Sequence, residues 1–456
     1  MPSRAKKASP FVRYLHLSYA RYNRLARTWR DRLTPAGWTV VVSALLSGVI
    51  GLNTNETTAY QLFCFLAAVF CVSASLSLFH RPRLIIRRHV PRVASVGQAL
   101  RYRFEIDNLN GRSYSHLSFQ ENLPQPLPSV ESFHQVPEPG ESDRNPFDRT
   151  FLYYRWNWLR QRARIAHSEP TDPVALPAKG RVRVETVLKP LRRGVLTLDS
   201  VRVLHPDLFG LIYFIRRHET EVTDKITILP RRYPIPGLNL TGESQYQPCG
   251  VALASEIGQS EEFIGLRDYR PGDPIRHLHW RSWARTGHPI VMEFEDEYYP
   301  RYALALDTFG SPELSDVFEE AVSVAASFAY TLDSHESLLD LLFVGTKAYV
   351  HTSGRGVSQP ERLLEILSAV DMTSDGQFSD LHVLLTSRIR DVTACIVILL
   401  SWDEERRACI QRLRESGVSL MILLVGRPDP GLEEQVVKEG VHFLSLNQVG
   451  EGLASL

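Results

Sequence analysis

Two apolar stretches near the start of the chain differ from everything that follows. Residues 36–52, AGWTVVVSALLSGVIGL, and residues 58–79, TAYQLFCFLAAVFCVSASLSLF, hold no charged side chain. A helix needs about 20 apolar residues to cross a bilayer, so the first run is about long enough and the second comfortably so. The short NTNET segment joins them. The pattern predicts a transmembrane helical hairpin, bounded by Ala36 and Leu52 and by Thr58 and Phe79. A buried core hairpin is the alternative. A cleaved signal peptide fits less well, because the first run starts late and the second follows at once.

From residue 84 to about 230 the period changes to two. RYRFEIDN at 101–108 alternates, and RVRVETVL (181–188) and GVLTLDSVRVL (194–204) repeat the rhythm. Gly97 and the Asn108–Gly111 segment supply turn material. Short strands of this kind predict an immunoglobulin-like β-sandwich over residues 81–236. Residues 124–180, rich in Pro and charge, read as an insertion. Within it the aromatic and basic run 147–166 suits either a membrane-surface or partner helix, or a helix capping the sandwich.

Residues 237–300 form a linker followed by a charged segment. From 301 to 456 short apolar runs alternate with helical patterns. RYALALD, LLDLLFV, ACIVILL, VSLMILLV and VHFLSL read as strands. Leu314, Val317, Phe318, Ala321, Ala325, Phe328 and Leu332 mark one helix face. With one antiparallel hairpin, this is an open α/β sheet of Rossmann type. The fold class is therefore mixed: a membrane hairpin, an all-β domain and an α/β domain.

Charge places these parts. The totals nearly cancel, 52 basic against 51 acidic residues, which gives no electrostatic case for nucleic acid as a partner. The distribution is uneven. Residues 1–35 carry nine Lys or Arg and one acid, Asp31. HRPRLIIRRHVPR follows the second apolar run and is basic too, while the intervening loop holds only Glu56. By the positive-inside rule both termini and the globular domains lie on the cytoplasmic side of a multi-pass inner-membrane protein, with the lipid bilayer as a partner. The basic arm reads either as a disordered tail or as a segment lying on anionic headgroups. The five cysteines have no framework spacing and read as reduced thiols.

The densest chemistry is LRDYRPGDPIRHLHWRSWARTG, residues 266–287, with five Arg, two Asp, two His and two Trp. On a strand, His277 and His279 would share a face and could ligate a metal, the basis of a metal-dependent hydrolase reading. No Walker loop, nucleophile elbow or HExxH motif accompanies them. A structural joint explains more residues. Pro271-Gly272-Asp273 makes a turn, arginines suit bidentate carboxylate pairing, and Trp280 and Trp283 supply apolar mass.

This segment resembles the bacterial domain-of-unknown-function family 58. The resemblance rests on Glu262, Phe263, Leu266, Arg267, Tyr269, Gly272, Asp273, Arg276, Trp280, Ala284 and Arg285. RRGVLTLDSVRVLHPDLFGL is similar to the family's preceding segment. Residues from 301 onward resemble a von Willebrand factor A domain, which implies a Mg²⁺ adhesion site. Asp307, Ser311 and Asp403 match parts of that pattern, but Phe309 stands where a hydroxyl ligand is expected, so the site would bind Mg²⁺ weakly at most. The resemblance further implies a non-enzymatic interaction protein. Its implied partners are a MoxR-type AAA+ ATPase and a transglutaminase-like membrane protein, in assembly or maturation of complexes. A ligand sensor signalling through the hairpin is a further alternative.

Overall fold

A computed structural model describes residues 9–51, 57–77, 82–235, 263–294, 301–311, 314–332, 338–345, 348–353, 360–373 and 378–456. The expected boundaries Leu52 and Phe79, together with Glu262 and Cys249, lie outside the described residues. The chain divides into two compact units, residues 1–231 with 365–369, and residues 232–364 with 370–456.

The first unit opens with α1 (Pro10–Arg32), α2 (Pro35–Ile50) and α3 (Thr57–Ser77). Ser9 caps α1 and Thr34 caps α2, each followed by proline in the first turn. α2 and α3 lie against each other. A Cβ on Gly48 would meet the Phe63 ring at 3.2 Å, and one on Gly51 would meet the Tyr60 backbone at 3.1 Å. α2 has 16 residues, about 24 Å at 1.5 Å per residue, short of a hydrocarbon core of about 30 Å. Among the described residues one helix, α3, contains a stretch long and apolar enough to cross a membrane, Thr58–Ser75. Of the two expected spans, α3 is thus a candidate by length and apolar composition, while α2, capped at Gly51, falls short by itself.

Strands follow: β1 (Leu84–His89), β2 (Val93–Ser95), β3 (Leu100–Asn108) and β4 (Tyr114–Glu121). Helices α4 (Val130–Gln135), α5 (Pro146–Phe151) and α6 (Tyr153–Arg162) come next, then β5 (Ala166–Ser168), β6 (Val174–Leu176), β7 (Arg181–Pro190), β8 (Gly194–Pro206) and β9 (Tyr213–Leu229). Two sheets result, ordered β1-β3-β7-β5 and β2-β9-β8-β4-β6. Alternation decides their inner faces: Tyr102, Phe104 and Ile106 of β3 turn inward, against Leu196, Leu198, Ile226 and Ile228 of the other sheet. β5 and β6, inside the stretch read as an insertion, add one strand to each sheet. The aromatic run at 147–166 belongs mainly to α5 and α6. Trp156 is fully buried, and with Phe133 of α4 and Leu15 and Ala20 of α1 it forms a small helical core. A buried pair joins the two sheets. Arg88 donates to both Glu121 oxygens at 2.8 and 3.1 Å, and Tyr102 donates to Glu121 Oε1 at 2.7 Å.

The helical hairpin is fastened to the β8–β9 turn. Thr34 Oγ1 donates to Gly210 O at 2.7 Å, and the Thr34 amide donates to Leu211 O at 3.1 Å. A Cβ on Gly37 would lie 2.1 Å from Leu211 O, so only glycine permits this approach. At the other end Ser73, on α3, donates to Asp207, whose Oδ1 also accepts from the amides of Leu211 (2.6 Å) and Ile212 (2.8 Å).

The second unit holds β10 (Phe263–Asp268), α7 (Trp280–Thr286) and β11 (Ile290–Phe294), with β10 and β11 antiparallel. After them run β12 (Arg301–Leu306), α8 (Ser315–Leu332), β13 (Leu338–Val344), β14 (Ala348–Ser353), α9 (Pro360–Ser368), α10 (Phe378–Arg388) and β15 (Ala394–Leu399). The chain ends with α11 (Glu404–Glu415), β16 (Ser419–Gly426), α12 (Pro430–Lys438), β17 (His442–Ser445) and α13 (Val449–Ala454). The sheet order is β14-β13-β12-β15-β16-β17, parallel except for β14. The order reverses between β12 and β15, and the crevice beyond their carboxyl ends is where open α/β sheets place ligand sites.

Candidate functional site

Asp307 follows β12 at that switch point and is fully buried. Its Oδ1 accepts from the Phe309 amide at 2.9 Å. Its Oδ2 accepts from the Leu400 amide at 3.3 Å and from Arg406 Nε at 2.7 Å. Arg406 lies in the first turn of α11, where Asp403 caps the helix by accepting from the Arg406 amide at 3.0 Å. The same guanidinium donates to Asp403 Oδ2 through Nη1 and to Phe309 O through Nη2, the latter at 2.9 Å. It also lies over the Phe378 ring, 4.8 Å from the centroid. Burial pushes the Asp307 carboxyl up, and the facing guanidinium opposes that shift. Burial works against the charge on Arg406, and Asp307 outweighs it, leaving the guanidinium above its ordinary value.

Asp307 and Asp403 therefore do converge, but on a cation from the chain itself. Ser311 is exposed, and its carbonyl accepts from the Leu314 amide at 2.9 Å. Phe309 packs in the core with its ring 6.4 Å from that of Phe378. This donor set does not fit a resident Mg²⁺. Both Asp307 oxygens already accept hydrogen bonds, and a metal would have to displace the guanidinium. No group of three or more His, Cys, Asp or Glu suited to a metal occurs among the described residues. Sequence reading missed Arg406. Its signal was an arginine three residues after a capping aspartate, a spacing too common on helices to mark a site.

The 266–287 segment folds as a compact turn. Gly272 has φ +111°, a left-handed conformation that favours glycine, which lets Asp273 fold back. Arg267, on β10, grips Asp273 in a bidentate pair at 2.7 and 2.9 Å, and Asp273 Oδ2 also accepts from the Arg270 amide at 2.8 Å. These bonds, the Arg267 one first, hold the Asp273 carboxyl at about 2. The Tyr269 amide donates to Pro289 O at 3.0 Å, joining the turn to β11. The two histidines do not lie on a strand. His277 closes a short 3₁₀ turn, 275–277, and His279 precedes α7 with Nδ1 2.7 Å from Ser282 Oγ. They do not present a shared strand face. The tryptophans also behave differently from expectation. Trp280 is 60% exposed and stacks on Trp283 with centroids 5.1 Å apart. Phe263, Leu266, Arg276, Ala284 and Arg285 are exposed as well.

Sequence similarity also falls on most of this segment. Residues 265–356 match the family model "Protein of unknown function DUF58". The match covers the signature turn and the sheet as far as β14. An uncharacterized protein of Bacillus subtilis, YeaD, is 28% identical over 180 residues, which is 39% of this chain and 42% of that protein. The chain thus spans less than half the length of this curated relative. Among solved structures, the CARDB domain of a Pyrococcus furiosus protein aligns with 33% of this chain and 91% of its own, at 10% identity and a TM-score of 0.16. A cohesin module from Clostridium perfringens aligns with 32% of this chain and 98% of its own, at 13% identity and a TM-score of 0.15.

Proposed function

We propose that this chain is a membrane-anchored, non-enzymatic interaction protein. One observation carries the reading: an apolar helical hairpin stands exposed while both its ends are fastened to a folded unit. Leu45, Leu46, Val49 and Ile50 of α2 and Phe65 of α3 are each 58–67% exposed, an arrangement that costs free energy in water. Thr34 and Ser73 both bond to the 207–211 turn, so the two helices leave the β-rich unit together. A helix pair that leaves and returns on one side enters the bilayer as a hairpin, with the tip at the far end. The basic flanks at both ends then set the cytoplasmic orientation.

The partner surface in this reading is the signature turn. It combines exposed Ile275 and Trp280 with Arg276, Arg281 and Arg285, and arginine with tryptophan is the composition favoured at the centres of interfaces. Resemblance nominates a MoxR-type AAA+ ATPase as the partner, with a transglutaminase-like membrane protein in the same assembly. The von Willebrand factor A-like character of the second unit belongs to this proposal, in a form where Arg406 replaces the adhesion metal. Crosslinking in intact membranes followed by co-purification and mass spectrometry is the test. An ATPase captured by the native chain and lost with Trp280→Ser supports the reading. Release of the native chain by alkaline carbonate would refute the anchor.

A further inference from the structure

A groove of about 590 Å³ lies in the first unit where α1, α3 and β9 meet. Its walls are mostly apolar, supplied by Trp29, Phe70, Ala74, Ile212 and Phe214. Two guanidinium groups, Arg32 and Arg216, line the same groove. Among the described residues no ion pair engages either of them. The nearby carboxylate of Asp31 is taken by Arg202 at 2.7 Å and Arg27 at 3.4 Å. The groove is thus a mostly apolar slot lined by two guanidinium groups that lie outside every ion pair among the described residues.

Its surroundings are those of a membrane-facing edge. The groove adjoins the base of the helical hairpin, beside the turn whose tip exposes Leu208 (79%) and Phe209 (49%). Phe11, Tyr14, Tyr22, Leu25 and Trp29 of α1 are all exposed. At 100° per residue they fall on one narrow face, with Arg21 and Arg32 beside them. The opposite face of α1 is packed on α4 and α6. An exposed aromatic stripe flanked by arginines is the pattern of a helix lying in the headgroup layer.

We propose that this groove binds one anionic phospholipid, the acyl chain along Phe70, Ala74 and Phe214 and the phosphate against Arg32 and Arg216. The site rests on the anchor reading above and adds a lipid class to it. Charge selects the headgroup, because each arginine near a membrane surface favours an anionic lipid by roughly fivefold. The apolar slot selects a lipid over a soluble phosphate.

The test uses the full chain in nanodiscs of equal phosphatidylglycerol and phosphatidylcholine, with retained lipid read by native mass spectrometry. The native chain should retain one phosphatidylglycerol with an enrichment on the order of tenfold or more. Arg32→Gln alone should lower that enrichment roughly fivefold, and Arg32→Gln with Arg216→Gln should abolish it. Arg13→Gln, on the exposed side of α1 away from the groove, should leave it unchanged. Ala74→Trp should fill the slot and remove the retained lipid of either class. Should Arg216→Gln disturb β9, the exposed Arg32 variant still decides. Equal retention of the two lipids by the native chain overturns the proposal, as does enrichment unaffected by Arg32→Gln. Displacement of the lipid by millimolar inorganic phosphate would reduce the groove to an anion site and overturn it too. Release of the native chain by carbonate would instead refute the anchor itself, so the two failures are separable.

Discussion

Arg406 and Arg267, both in the second unit, each hold an aspartate, Arg406 through one hydrogen bond to Asp307 and Arg267 through two to Asp273. Arg406 is 7% exposed and its partner Asp307 not at all, whereas Arg267 is 32% exposed and Asp273 14%. The buried pair sits at a sheet switch point, the place where open α/β sheets hold ligands. The exposed pair sits in the motif that identifies the segment. The difference teaches that an arginine–aspartate pair alone tells nothing about role. In the buried case the guanidinium bonds Asp307, the Phe309 carbonyl and Asp403, and so locks two loops. In the exposed case the pair shapes a turn whose outer residues, Ile275, Arg276 and Trp280 among them, face solvent. The first unit repeats the buried version in Arg88 and Glu121, far from any switch point, where it only ties two sheets together.

The largest effect is expected from breaking the buried pairs. Arg406→Ala or Arg88→Ala strands a buried carboxylate, a loss of about 3–5 kcal/mol of stability. Hydrogen exchange on the full chain would read it unit by unit: Phe309 and Leu400 amides should lose protection in the Arg406 variant, and sandwich amides in the Arg88 variant. Replacing both partners, Asp307→Leu with Arg406→Met, should recover most of the loss. Unchanged protection at Phe309 in Arg406→Ala would break the comparison.

A second, smaller effect concerns metal. Mg²⁺ at millimolar concentration should leave the melting of the native chain unchanged. It should raise that of Arg406→Ala, because Asp307 and Asp403 then lack a counter-cation. Calorimetric binding of Mg²⁺ by the native chain, lost in Asp307→Ala, would show that the guanidinium is displaceable.

The exposed pair should respond to pH. Asp273 is held at about 2 against an ordinary value of 3.8. A depressed carboxyl contributes its stability above the unfolded value and loses it as pH falls through the folded one. The melting difference between the native chain and Asp273→Asn should therefore be full at pH 5 and above, shrinking from about pH 4 to about pH 2. A difference independent of pH in that window would mean that Asp273 acts through turn geometry rather than charge. Least of all should Trp280→Ser matter for folding: with a side chain this exposed, melting should stay the same while partner capture falls.

The helix expected around 314–332 and the strands around it were legible because buried runs and helical periodicity carry their own signal. α8 forms over Ser315–Leu332 with every expected face residue from Val317 onward buried. β12, β13, β15, β16 and β17 fall on the five predicted runs. α10 escaped notice because its apolar residues do not keep to one face: Phe378, Leu381 and Leu385 are buried while Val383 is 70% exposed. The Arg267–Asp273 pair was foreseeable, since a Gly turn between them brings the two within reach.

By itself the sequence determined where the apolar hairpin lies, which stretches alternate with period two, and which segment matches the family model, because each is written in neighbouring residues. Only the tertiary structure decided what closes the switch point. Asp307 and Arg406 are 99 positions apart, and their pairing depends on β12 and β15 lying side by side. The same holds for the hairpin base, where Gly37 matters because Leu211 reaches it across the fold, and for Trp280, whose exposure no local pattern reveals. Contacts of this kind follow from packing, and packing is a property of the whole chain.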